Sequence, residues 1–270
     1  MAWRPAPNNT FYRMIVGTGL VLRWLLQLDV RTRGAEHLPA PDPIVKKARQ
    51  PVPGKGAVIA ITHFGYLDFA VTSMVMWKHA KVQMRYLIHR GAANHWLAGP
   101  AISAAGHIVV DRSAGGEAYQ QAVEKLREGE YIAILPEAGV SRSFTVRECK
   151  TGAVRMAAEA GVPVIPVSVW GAHRLMTRGH SFSPRRSWKA PIRVQIGEQL
   201  RYPADVDAVV ATAELRKALQ AGIDEARKVF PLKAEPGAWW MPAALGGGAM
   251  TVEEQVAADE LDRIHRRRQG

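Results

Sequence analysis

AVIAITHFGYLDFAV, Ala57 to Val71, sets an apolar run that ends at Ile61 ahead of a short loop and then a second apolar stretch. The run AVIAI at 57 to 61 reads as a strand and the stretch near 67 to 79 as a helix. The same alternation continues outward. Strands are expected at VQMRYLI (82 to 88), HIVV (107 to 110), YIAIL (131 to 135), VPVIPVSV (162 to 169) and PIRVQIGE (191 to 198). Helices are expected near 94 to 104, 116 to 128, 151 to 160 and 212 to 229. Strands and helices in turn argue for an α/β fold with a largely parallel sheet flanked by helices.

In such a sheet, ligands bind beyond the carboxyl ends of the strands. His63 lies two residues past AVIAI, Asp111 and Arg112 follow HIVV, and Pro136 and Glu137 follow YIAIL. If those strands are parallel neighbours, a histidine, an arginine and a glutamate converge at one edge, a set suited to acid/base chemistry on an anionic substrate. His63 and Asp68 stand four residues apart. A neutral imidazole can take a proton while a carboxylate on its opposite nitrogen fixes the tautomer and stabilises the imidazolium. The competing reading has Asp68 starting the helix, with His63 merely in the loop.

With 36 Lys and Arg against 24 Asp and Glu, the 270-residue chain carries a formal charge of +12, so negatively charged partners are expected. The basic residues show no helix-turn-helix, zinc-finger or RNP pattern, which argues against nucleic acid. The single cysteine, Cys149, excludes an internal disulfide framework and a multi-cysteine zinc site. His89, His95, His107, His173 and His180 lack metal-ligand spacing, so neither metal nor cofactor is expected. Cys149 has no histidine near it in sequence and reads as inert.

MIVGTGLVLRWLLQL, Met14 to Leu28, is interrupted by Arg23 and is shorter than the roughly 20 apolar residues of a membrane-spanning helix. No signal-cleavage pattern follows it. It reads as an apolar helix lying in a membrane interface, or alternatively packed on the protein's own core. The expected division is an N-terminal helix and Pro-rich connector (1 to 56), a main domain (57 to 233) and a basic tail (234 to 270). In that tail Trp239 and Trp240 suit either an interfacial contact or packing on the body.

HFGYLD resembles the H-x4-D motif of the glycerolipid acyltransferases, the lysophosphatidic acid acyltransferase family. Three further segments resemble that family's motifs in its order: GHIVVDR (Gly106 to Arg112), LPEAGVSRS (Leu135 to Ser143) and VPVIPV (Val162 to Val167). The resemblance covers roughly residues 57 to 170. It implies transfer of an acyl group from a coenzyme A or acyl carrier protein thioester to a hydroxyl of a lysophospholipid, most simply 1-acylglycerol-3-phosphate to give phosphatidate. His63 would be the base and Asp68 its orienter, and the activated hydroxyl would attack the thioester directly, without an acyl-enzyme. Backbone N–H groups near the start of the helix after His63 are candidate oxyanion donors.

By the same resemblance Arg112 and Glu137 belong to the acceptor site. The guanidinium fork of Arg112 suits phosphate. Glu137 would contact either the acceptor's glycerol or backbone donors of the next loop. Ser141, Arg142, Lys150 and Gly152 form a second candidate anion patch, with Gly152 opening a helix. The third motif departs from the family at Ala138, Gly139 and Val140, which bears on the acceptor's identity. An acyltransferase acting on a glycolipid sugar, and a noncatalytic anionic-lipid-binding protein, are the alternatives. The implied partners are a lysophospholipid acceptor, an acyl thioester donor and an anionic membrane surface, for a peripheral or monotopic protein on the cytoplasmic face of the cell membrane.

Overall fold

The computed structural model describes residues 10–39, 51–89, 107–110, 115–137 and 139–269. The strand read at 57 to 61 is β2 (Ala57–Ile61), and its neighbours form one seven-stranded sheet ordered β1-β7-β6-β2-β5-β3-β4. The other members are β1 (Asp29–Arg33), β3 (Met84–His89), β4 (Ile108–Val110), β5 (Tyr131–Ile134), β6 (Val164–Trp170) and β7 (Pro191–Ile196). Five strands, from β4 to β6, are mutually parallel. β7 runs antiparallel to β6, and β1 runs parallel to β7.

β2 is apolar throughout because both of its faces are covered. Val58 and Ala60 enter a core shared with α3 (Gly115–Arg127), α4 (Gly152–Ala160) and α6 (Ala208–Lys228). Ala57, Ile59 and Ile61 enter the opposite core, against α2 (Asp68–Ala80). A strand buried on both sides loses the polar/apolar alternation and keeps only the apolar run. Outside α2 lies α1 (Thr10–Leu25), seated through buried Tyr12 and Val16 and through Gly19, where an added Cβ would come within 3.1 Å of Met74 Sδ. A one-turn helix, α5 (Pro184–Ser187), precedes β7, and α7 (Val252–Gln269) closes the described chain.

Two expectations change. The body does not open at Ala57: β1 comes from residues assigned to the N-terminal segment, and it extends the sheet by pairing with β7. Its sequence, DVRTR, has no apolar alternation, because an edge strand exposes Arg31 and Arg33. The tail is not all appendage, since Trp240 is buried in the core and the Gln255 side chain on α7 is 3% exposed. The helix expected at 94 to 104, together with Asp111, Arg112 and Ala138, lies outside the described residues.

Candidate active site

His63 leaves the end of β2 and Glu137 follows β5, the strand hydrogen-bonded beside it, so parallel pairing brings these two to one edge as expected. β4 lies on the far side of β3, at the sheet's margin. The meeting of His63 and Glu137 is made through the backbone. The His63 N–H donates to Glu137 Oε1 at 2.7 Å, and the other carboxylate oxygen, Oε2, accepts from the Arg147 N–H at 2.9 Å. Of the two readings for Glu137, the geometry fills the second: the side chain is buried and both oxygens serve main-chain donors. Burial pushes its carboxyl up to about 7, against the pull of those two N–H groups.

The His63 peptide is held on its other side too. Its carbonyl accepts from the Ser141 N–H at 2.8 Å, so the 137 to 141 loop grips both polar groups of one residue. The next residues are fixed from residues 173 to 177: the Phe64 carbonyl accepts from Thr177 Oγ1 at 2.6 Å, and the Tyr66 N–H donates to the Met176 carbonyl at 3.1 Å. Gly65 permits this approach, since a Cβ there would sit 2.7 Å from the His173 Cα. A larger residue would force the strand-end loop off its support.

Asp68 is the first residue of α2 and fully buried. Its Oδ2 accepts from the N–H groups of Phe64 and Gly65, each at 2.7 Å, and lies 4.0 Å from His63 Nδ1. The last distance is that of an ion pair, longer than a hydrogen bond. Asp68 therefore starts the helix, as the second sequence reading has it, and also lies within ion-pair distance of the imidazole. Burial raises its carboxyl above the ordinary range, opposed by His63 and the two N–H bonds. His63 Nδ1 is itself buried, so the 15% exposure of the side chain belongs to the ring's other atoms.

This arrangement narrows the oxyanion expectation to the N–H groups beyond Tyr66. The N–H groups of Phe64 and Gly65 go to Asp68 and that of Tyr66 to Met176, so none of these three is aimed at a substrate oxygen.

The second patch is brought beside the same loop but turned to a different use. The Ser141 hydroxyl is fully buried and donates to the Thr145 carbonyl at 2.8 Å, which corrects its assignment to substrate. Arg142 pairs with Asp262, and Arg147 with Asp259, both carboxylates coming from α7. Arg178 joins Asp262 at 2.7 Å. The Lys150 N–H donates to the Pro136 carbonyl at 2.9 Å while its side chain stays exposed, and Gly152 opens α4 as expected. Cys149 donates weakly to the Arg147 carbonyl, and burial beside Glu137 pushes its thiol up to about 12, the signature of an unreactive cysteine.

Gln255 was not singled out by the sequence reading. Its Oε1 accepts from the Arg142 N–H at 2.6 Å and the Ser143 N–H at 2.9 Å, and lies 3.2 Å from the Ser141 hydroxyl, whose one proton goes to Thr145. One side chain on α7 thus organises the third-motif loop. The available signal was the spacing of Gln255, Asp259 and Asp262, which places them on one face of a helix opposite a run of arginines. Among the described residues no three His, Cys, Asp or Glu side chains gather as a metal would need.

Comparison with known proteins agrees with the motif reading. A family model described as Acyltransferase matches residues 29–170, starting at β1 and so including it. A 1-acyl-sn-glycerol-3-phosphate acyltransferase of Chlamydomonas reinhardtii is 27% identical over 139 residues, 50% of this chain and 40% of that protein. One from Borreliella burgdorferi is 22% identical over 163 residues, 59% of this chain and 58% of that one. The chain spans about half the length of these curated relatives. The crystal structure of the 1-acyl-sn-glycerophosphate acyltransferase PlsC from Thermotoga maritima superposes with a TM-score of 0.63 at 20% identity, over 82% of this chain and 81% of that one, which shows the shared fold.

Proposed function

The chain belongs to the Acyltransferase family, and on that footing we propose that it moves an acyl group from a coenzyme A or acyl carrier protein thioester to the free hydroxyl of 1-acylglycerol-3-phosphate, giving phosphatidate. The observation that carries the reading is His63 at the carboxyl edge of the sheet, its Nδ1 directed at a buried carboxylate and both of its peptide groups clamped. In this mechanism the exposed edge of the imidazole removes the hydroxyl proton as the oxygen attacks the thioester carbonyl. The tetrahedral intermediate then expels the thiolate, which takes up a proton. The charge gained by the ring is stabilised by Asp68, whose 4.0 Å separation has to close by about 1 Å to become a hydrogen bond, as separations in catalytic pairs do when substrate binds.

Arg112 supplies the phosphate contact in this reading, following a strand that ends at the same edge. The activities named for the curated relatives support the acceptor class, and the +12 charge is consistent with a phosphorylated substrate at an anionic membrane. Among the described residues no helix is long and apolar enough to cross a membrane, and the proposed association is peripheral.

The test is product identity. Purified protein, incubated with acyl-coenzyme A or acyl carrier protein and 1-acylglycerol-3-phosphate, should release free thiol and accumulate phosphatidate detected by mass. Thiol release only with a glycolipid sugar acceptor would replace the acceptor assignment. No turnover with any of these acceptors would favour a noncatalytic lipid binder.

A further inference from the structure

The antiparallel turn of β7 has a consequence for the site. Because β7 runs against β6, its first residues lie beside the end of β6: Arg193 pairs with Trp170, and Val167 of β6 pairs with Ile61 of β2. β1 starts level with β7, Asp29 opposite Pro191. The segments entering these two strands, the end of α1 and residues 181 to 189, therefore sit at the sheet edge from which His63 emerges.

Both segments are built alike. Trp24, Leu22 and Leu25 on α1 are at least half exposed, as is Trp188, with Phe182 44% exposed. Arg185 and Lys189 are exposed beside them. There is no acidic residue before Asp29, and none between Glu159 and Glu198. The two segments are also joined. The Lys189 N–H donates to the Leu26 carbonyl at 2.8 Å, and an open groove of about 700 Å³ runs between Leu20, Trp24, Leu25 and Trp188. The loop is held rigidly from within: Ser183 caps α5, while Arg186 turns inward to the carbonyls of Arg174 and Ser181. Its aromatic residues are thus displayed on a fixed support.

We propose that residues 181 to 189, through Phe182, Arg185, Trp188 and Lys189, form the second half of a docking surface for an anionic phospholipid bilayer, the first half being the exposed face of α1. Tryptophan and phenylalanine enter the headgroup boundary, where amphipathic rings are favoured, and the flanking cations meet lipid phosphates. The two halves fix an orientation that one helix alone leaves free to roll, and they turn the His63 edge toward the bilayer, with exposed Tyr66 and Phe69 beside it. This inference rests on the reading of the acceptor as a membrane lipid, but its test does not need turnover.

Flotation with vesicles containing roughly a third phosphatidylglycerol should show the Phe182→Ser/Trp188→Ser double variant binding about tenfold more weakly than wild type, with an unchanged melting temperature. Arg185→Glu should lose affinity for these vesicles while leaving the weaker binding to neutral vesicles unchanged. Turnover of a short-chain acceptor dispersed below its micelle concentration should stay within about twofold of wild type in both variants. Vesicle affinity within about twofold of wild type for both variants would overturn the docking surface, whether or not the protein proves to be an acyltransferase. Absent turnover with intact differences in flotation would overturn the catalytic reading alone.

Discussion

The main-chain N–H of His63 donates to Glu137 Oε1 at 2.7 Å, so the Glu137 carboxylate is directed at the backbone of the proposed base. Replacing Glu137 with Ala leaves two buried N–H groups unpaired, at about 1–3 kcal/mol each. Because the loss falls on the placement of the imidazole, kcat should drop by roughly 10²-fold while acceptor KM changes little. A direct acceptor contact would show the opposite, a raised KM at near-constant kcat, in steady-state kinetics with varied acceptor.

Glu137 also gives the site a pH dependence. Only the ionised carboxylate accepts from His63 and Arg147 with both oxygens, and burial holds its pKa at about 7. Its folded pKa lies above the unfolded one, so the folded state holds this proton more tightly, and the group's contribution to stability falls as pH rises from about 4.5 to about 7. The site is thus fully assembled on the alkaline side, where this group is most costly. The melting temperature of Glu137→Gln relative to wild type should rise between pH 5 and 8, and a flat difference would contradict the assignment.

Asp68→Asn separates function from stability. An amide there must keep its oxygen on the N–H groups of Phe64 and Gly65, so the imidazole faces a neutral group that no longer stabilises its positive charge. Activity should fall by roughly 10² to 10⁴. The fold should be as stable as wild type or more so, since burial already penalises the Asp68 charge. A melt alongside the kinetics checks both halves.

On α7, Gln255→Leu removes the acceptor of two main-chain hydrogen bonds from the Arg142 and Ser143 N–H groups. Thermal unfolding should come several degrees earlier and kcat should fall, whereas Gln255→Glu, which keeps an acceptor oxygen in place, should restore much of both. Equal losses in the two variants would argue against the acceptor role.

Cys149→Ser should retain acyl transfer within about twofold, and alkylating reagents at neutral pH should leave the wild-type enzyme active. Rapid inactivation would contradict the raised thiol and a route without an acyl-enzyme.

How much of this was legible in the sequence depended on what each residue touches. AVIAI could be read because burial on both faces leaves an uninterrupted apolar run, and His63 and Glu137 because parallel neighbours end together. DVRTR could not, since an edge strand advertises its exposed arginines and not its pairing. The reversed direction of β7 was equally hidden, as PIRVQI reads the same in either orientation. Ser141 and Arg142 looked like substrate ligands because a sequence shows their chemistry and not Gln255 and Asp262, more than a hundred residues on. That the N–H groups of Phe64 and Gly65 are taken from the oxyanion role was hidden for a related reason: they are drawn back to Asp68, a bond that only the folded loop reveals.

The most direct measurement is the rate of thiol release from acyl-coenzyme A with 1-acylglycerol-3-phosphate, for wild type and His63→Ala at matched melting temperature and vesicle binding. A loss of roughly 10² to 10⁴ is expected in the variant. Turnover within about twofold of wild type would contradict His63 as the base.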